Sequence, residues 1–585
     1  MRQRMRAFLT ILSALSMLSG IASAWELPFP ASRFDQAYDV GIMPGGDVVS
    51  AGVIAPTNAS RVSDYAVTRL DAVTGAQIWR TTIDGPATND QEDTTHRTDA
   101  AFRVAFTSGG DVVAYGTLAD AVTNHYVVVR LNGATGAELW RATIFADDPL
   151  SCCGGGEPPI VVDAADDVLM AFHGHVRKLD GDTGAQLWSI DDPDLAPSVA
   201  VDSAGNAFVC GIEEVRSVDG ATGGTIWSAP QVGRWFGTVV VDAQGNVIAG
   251  GHPQPFFNHS VIVKFAAANG AVLWQASILT SGGSPITAGF GELSLALDAA
   301  NDVFVTGNVG EGYTSGVLKL SGSNGLPLWD SAETRFRSLA IAPNGDAFTN
   351  NDGFRGNLYR IDGATGAFIW KQTAFTTGSR YFGGDAGHIA VMADGTPVVP
   401  SGRDLKSKAS GGVVTAYSGE LTGRSLVVND KVGVPAASKL VVSSTDPTNL
   451  IPWPGGPSDP VTVGGQLELR NPVTNESAVF PLPAASWQNT TPPALATKDL
   501  YTYRYSDGHG VNGPCTKVEL RGGKSLKATC RGAGIGFTLD EATQGVLEVR
   551  LTIGTIKHCM RFGGTVKSDR PGSFKATNAG PGDCQ

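Results

Sequence analysis

Between residues 39 and 428 short apolar runs alternate with turns rich in Asp, Asn, Gly and Thr, and no stretch has the spacing of an amphipathic helix. One unit recurs as an apolar triplet, a tight turn and a second apolar triplet. Val199-Ala200-Val201, Asp202-Ser203-Ala204-Gly205-Asn206, Ala207-Phe208-Val209 is one copy, and Val239 to Ala249 is another. Gly-Asn and Gly-Asp pairs accept the positive φ of tight turns, so each copy predicts a β-hairpin. A second unit follows each: a β-prone run, a turn of the type Asp-Gly-Ala-Thr-Gly-Ala, and a short strand closing on tryptophan. It ends at Trp79, Trp140, Trp188, Trp227, Trp274, Trp329 and Trp370.

Two hairpins make one four-stranded blade, and tryptophans 39 to 61 residues apart fit the period of a β-propeller rather than a helical solenoid. The first unit starts near Gly41, Phe102, Ile160, Ser198, Thr238, Leu293, Arg337 and Ile389. Eight blades are therefore expected, with seven as the alternative. After the eighth start, Val413 to Gly423 keeps a third strand and a turn but no tryptophan. The seven tryptophans are expected to pack between neighbouring sheets, since seven equivalent positions cannot all line one ligand site. Glycine in the Thr-Gly turn permits the left-handed backbone of a tight reversal.

The chain opens Met1-Arg2-Gln3-Arg4-Met5-Arg6, continues apolar from Ala7 to Ile21 and reaches Ala22-Ser23-Ala24. This predicts a secretory signal peptide over residues 1–24, cleaved near Ala24, and a protein that is secreted or periplasmic. No later segment is apolar enough to span a bilayer. The 74 glycines, 32 prolines and 17% charged residues suit an all-β fold. Residues 25–429 carry 24 Lys+Arg against 43 Asp+Glu, whereas residues 430–585 carry 16 against 13. So acidic a propeller argues against nucleic acid, whose phosphates need a basic surface.

The repeat pattern stops near Val427-Val428-Asn429-Asp430. The propeller is assigned to residues 25–428 and a small all-β accessory domain with two disulfides to 429–585. Cys515 and Cys530 flank Gly522-Gly523 symmetrically, so a hairpin turning there sets them opposite one another, leaving Cys559 to pair with Cys584. Four cysteines allow three connectivities, and the rival reading as a zinc site lacks any Cys-x-x-Cys knuckle. Cys210, inside an apolar strand, is expected to act as a small buried hydrophobe. His173 and His175 place two imidazoles on one face of a strand, which can bind a metal or form a polar strand edge. The Asp residues of the hairpin turns offer calcium ligands, although turn chemistry accounts for them as well.

The Asp-Gly-Ala-Thr-Gly-Ala-x-x-Trp repeats resemble those of the pyrroloquinoline-quinone (PQQ)-like propeller family, which includes both quinoprotein alcohol dehydrogenases and non-catalytic scaffolds. The resemblance implies a fold but not an activity. In the dehydrogenase branch an adjacent-cysteine disulfide covers one face of the quinone, and Cys152-Cys153 match it. Glu213-Glu214 fall where a metal-binding glutamate is implied, and Trp235 where a quinone-stacking tryptophan is implied. His252, in Gly251-His252-Pro253-Gln254-Pro255, stands in place of a metal-ligating asparagine and is a poor ligand for calcium. The implied catalytic aspartate has no counterpart, since residues 275–291 contain no carboxylate. Hydride transfer to a quinone then lacks a proton acceptor. The favoured expectation is an exported, non-enzymatic propeller with no cofactor, binding a protein or glycan. The alternative is an alcohol or sugar oxidoreductase using PQQ with calcium.

Overall fold

The structure is a computed structural model that describes residues 25–28, 36–54, 64–85, 99–119, 124–145, 159–172, 174–254, 260–278, 293–307, 316–332, 336–351, 357–373, 388–402, 412–431, 433–446, 449–496 and 500–581. The signal segment, Cys152, Cys153, His173 and Cys584 lie outside the described residues.

All eight hairpin units are present as antiparallel strand pairs. Their first strands pack one on the next, and Gln36–Ile42 meets both Ala390–Val391 and Pro397–Gly402, so the ring closes. The second strands, such as Val48–Ile54 and Val112–Ala119, are buried along their whole length. They are covered on both faces by neighbouring sheets, which explains why they read as unbroken apolar runs.

Six repeats form sheets of their own, and the repeats starting at Ser198 and Thr238 share a seventh. The expected eight separate blades are thus corrected to seven hydrogen-bonded sheets among the described residues. Thr225–Val241 is one unbroken strand, the outer strand of one repeat and the inner strand of the next. Trp235 pairs with Ile212 on one side and His252 on the other, which keeps the ladder continuous across the junction. The strand missing after the eighth hairpin comes from the other end of the chain. Trp25–Pro28 pairs with Gly412–Ala416 and completes the last sheet.

The tryptophans lock each repeat to its successor. The indole Nε1 of Trp79 donates to the Gly133 carbonyl at 2.9 Å, Trp140 to Gly181 at 2.7 Å, Trp188 to Gly220 at 2.9 Å. Trp227, Trp274 and Trp329 donate in the same way to Ala267, Gly322 and Gly363. The ring face lies on the glycine of the next Thr-Gly turn. A Cβ at Gly184, whose φ is +72°, would sit 2.6 Å from the Trp140 ring. Only glycine satisfies both that backbone and that contact.

A second interlock uses the basic residue two places before the turn. Lys178 pairs with Asp163 at 2.7 Å and donates to the Gly220 carbonyl at 2.9 Å. Lys264 joins Asp242 to the Gly322 carbonyl, and Lys319 joins Asp298 to that of Gly363. Arg69, Arg130 and Arg360 pair with Asp47, Asp111 and Asp346. These hairpin carboxylates, which offered calcium ligands, are therefore held by side-chain cations of their own repeats, whereas Asp202 accepts from the backbone N–H groups of Ala204 and Asn206 and from the Asn206 amide.

The strands from Gly423–Asn429 to Ser573–Pro581, apart from Ile451–Pro452, form a further single sheet whose residues share one hydrophobic core. Gly423–Asn429 pairs with Lys439–Ser444 and Ser573–Pro581 and so lies in this second sheet. The change of sheet comes earlier than residue 428, between Ala416 and Gly423. Cys515 faces Cys530 across the hairpin, and the two form a disulfide. Cys559 is also disulfide-bonded, with its partner outside the described residues. Cys210 is fully buried, and burial pushes its thiol up to about 12, in keeping with a small apolar role.

Candidate functional site

The quinone-site candidates that fall among the described residues do come together, at the junction of the two repeats that share a sheet. Glu213 occupies the turn joining the two arms of Ala207–Val218, with φ at +58°. Its Oε1 accepts the backbone N–H of Gly233 at 2.8 Å, two residues before Trp235. Trp235 lies opposite His252 across the ladder, and their rings stack at 5.0 Å with an interplanar angle of 25°. Three residues separated in sequence thus form one contiguous cluster.

The polar groups of this cluster are engaged with one another. Glu214 pairs with Arg216 and accepts from the Ser228 hydroxyl at 2.8 Å. Arg216 also pairs with Asp192 at 2.8 Å. His252 is buried, and loss of hydration holds its imidazole below the ordinary histidine range. Its Nδ1 lies 3.1 Å from the Pro253 carbonyl. One face of Trp235 is covered by this ring. Arg234 reaches across to Gln275 Oε1 at 2.9 Å, at the start of the carboxylate-free segment.

No group of three or more metal-ligating side chains occurs among the described residues. PQQ needs a free aromatic face, and its calcium needs open carboxylate oxygens. Among the described members, Trp235 has one face on His252, Glu213 has one oxygen on the Gly233 N–H, and the Glu214 oxygens meet Arg216 and Ser228. Cys152 and Cys153 lie outside the described residues. His175 Nδ1 lies 2.6 Å from the Asp191 carboxylate, and Arg177 holds the same carboxylate at 2.6 Å. The histidine hydrogen bond lowers the Asp191 pKa. His173 lies outside the described residues.

A cleft of about 310 Å³, unmarked in the sequence, lies at the seam between propeller and second domain. Phe348, Trp370 and Tyr417 line it from the propeller, and Leu450, Ile556 and Lys557 from the second domain. Nothing local marks it, because its walls come from segments far apart in sequence. Three of the six cation-carboxylate interlocks carry a local mark, since Arg69, Lys178 and Arg360 each stand two places before the Asp that opens the turn.

The family model for outer membrane protein assembly factor BamB, built on PQQ-like repeats, matches residues 63–289 and 256–372, together just over half of the chain. No curated protein sequence matches. Among solved structures, BamB from Moraxella catarrhalis is similar at 14% identity and a TM-score of 0.44, covering 68% of this chain and 98% of that one. The quinohemoprotein alcohol dehydrogenase from Comamonas testosteroni is similar at 12% identity and a TM-score of 0.43, covering 68% and 76%. The C-terminal WD40 domain of Sif2 gives 9% identity and a TM-score of 0.46, covering 68% and 99%.

Proposed function

The chain belongs to the PQQ-like β-propeller family, and from that premise we propose that it is an exported, non-enzymatic scaffold that binds a protein or glycan. The observation that carries this reading is the cluster around Trp235. Its carboxylates are hydrogen-bonded within the protein, and its tryptophan is stacked on a buried histidine. Residues 275–291 add no carboxylate to act as a base.

Export rests on the basic, then apolar, then small-residue start of the chain, with cleavage near Ala24. The Cys515–Cys530 disulfide suits an oxidising compartment. No helix among the described residues is long and apolar enough to cross a membrane. Reconstitution with PQQ and calcium tests the non-enzymatic reading. The expected result is no bound-quinone absorbance and no dye reduction with alcohols or sugars. Stoichiometric quinone binding with turnover, lost on Trp235→Ala or Glu213→Gln, would establish the oxidoreductase instead.

A further inference from the structure

On the outer strand of every tryptophan-bearing repeat, the residue before the tryptophan is bulged out of the ladder. Leu70 pairs with Gln77 and Arg69 with Trp79, so Ile78 is skipped. The same step skips Leu139, Leu187, Ile226, Leu273, Leu328 and Ile369. A bulge twists an edge strand and turns the extra side chain away from the ladder. Water alone would favour a polar residue there, yet all seven are Leu or Ile. Six of them are 45% to 52% exposed.

The seventh, Ile369, is 2% exposed, because its edge is occupied. Ile451–Pro452 adds to this sheet as a fifth, antiparallel strand, with Trp370 opposite Pro452 and Lys371 opposite Ile451. The N–H of Trp453 donates to the carbonyl of the bulged Ile369 at 3.2 Å. The Trp453 ring packs on Phe368 at a centroid distance of 4.9 Å. The molecule itself thus shows what such an edge accepts: an extended aliphatic-proline-aromatic segment. Proline has no N–H, so the added strand cannot pass its pairing on to another edge.

On each of the two repeats preceding this one, the bulged leucine has a second exposed apolar residue beside it. Val272 and Leu273 are exposed on one outer strand, and Leu326 and Leu328 on or beside the next. Gly325, next to Leu326, lies on the Trp274 ring, which brings the two edges together. We propose that the outer strands Val272–Ile278 and Pro327–Ala332 are docking sites for a partner protein, which adds an extended segment with the chemistry of Ile451-Pro452-Trp453. Backbone pairing supplies the affinity, and the bulged leucines select an aliphatic and aromatic segment. This deepens the scaffold reading and rests on it.

The test titrates the full exported protein with a fluorescent peptide of residues 449–455, Asn-Leu-Ile-Pro-Trp-Pro-Gly, read by anisotropy. Saturable binding is expected. It should weaken at least tenfold in a Leu273→Glu/Leu328→Glu variant whose melting temperature is unchanged, and when the peptide tryptophan becomes alanine. Absent binding, or equal binding to the variant, overturns the proposal. Sedimentation showing self-association that the same two substitutions abolish would make a second copy the occupant and overturn the assignment to a partner. The outcomes separate from those of quinone reconstitution. A failed titration without turnover removes these docking sites and leaves a scaffold, whereas turnover removes the scaffold reading itself.

Discussion

The backbone N–H of Cys559 donates to the carbonyl of Gly419 at 3.2 Å, at the place where a repeat tryptophan would otherwise donate. In six repeats the indole N–H bonds the second residue of the next turn. Gly419 holds that position after Trp370. The second domain has taken the acceptor, and the Trp370 Nε1 is buried without one among the described residues.

Trp370 and Trp188 should therefore respond differently to the same substitution. Trp188→Phe removes a buried hydrogen bond to the Gly220 carbonyl, which keeps only its Lys178 donor, whereas Trp370→Phe removes a donor with no acceptor among the described residues. Urea denaturation should show Trp188→Phe as the more destabilising by about 1–2 kcal/mol. Equal losses would mean that the indole bonds contribute nothing.

Full truncation probes the packing between repeats. Trp188→Ala should cost about 3–5 kcal/mol, because the side chain is buried between two sheets. Gly184→Ala should cost about 1–3 kcal/mol through its left-handed backbone alone, with the Trp140 contact adding to it. A thermal melt unchanged in either variant would contradict the interlock.

The Cys515–Cys530 link closes a short loop in the second domain. Replacing both cysteines with alanine should lower stability by about 2–4 kcal/mol. Non-reducing peptide mapping should recover this link in the native protein, and a second link from Cys559 to Cys584. A different partner for Cys559 would overturn the sequence assignment.

His558 is wholly buried in the second domain, and loss of hydration pushes its imidazole from 6.5 down to about 4. The unfolded chain then binds a proton between pH 6.5 and 4 that the folded chain does not. Stability is full above pH 6.5, falls by about 1.4 kcal/mol per pH unit as pH drops toward 4, and levels below that. Urea midpoints at pH 7.5 and 5 should show the decline, and His558→Phe should flatten it. An identical slope in the variant would assign the effect to other groups.

The period of the tryptophans, the eight hairpins and the left-handed glycines were legible from sequence, because each depends on residues a few positions apart and on turn chemistry that repeats. The disulfide was legible for a similar reason, though by a less direct route. The hairpin turns over Gly522 to Lys524, one residue longer than its symmetry suggests, and a shift in register between Cys515 and Lys517 restores the facing pair. Only tertiary structure decided what depends on distant segments meeting. The continuous pairing through Trp235 merged two blades into one sheet. Residues 25–28 supplied the strand that the last repeat lacks, and Ile451–Pro452 covered the edge at Ile369, while the six equivalent edges take no added strand among the described residues. Local pattern can specify a strand and its apolar face. Which edge that strand joins is set by backbone hydrogen bonds, to which every residue but proline contributes alike, and so leaves little trace in the sequence.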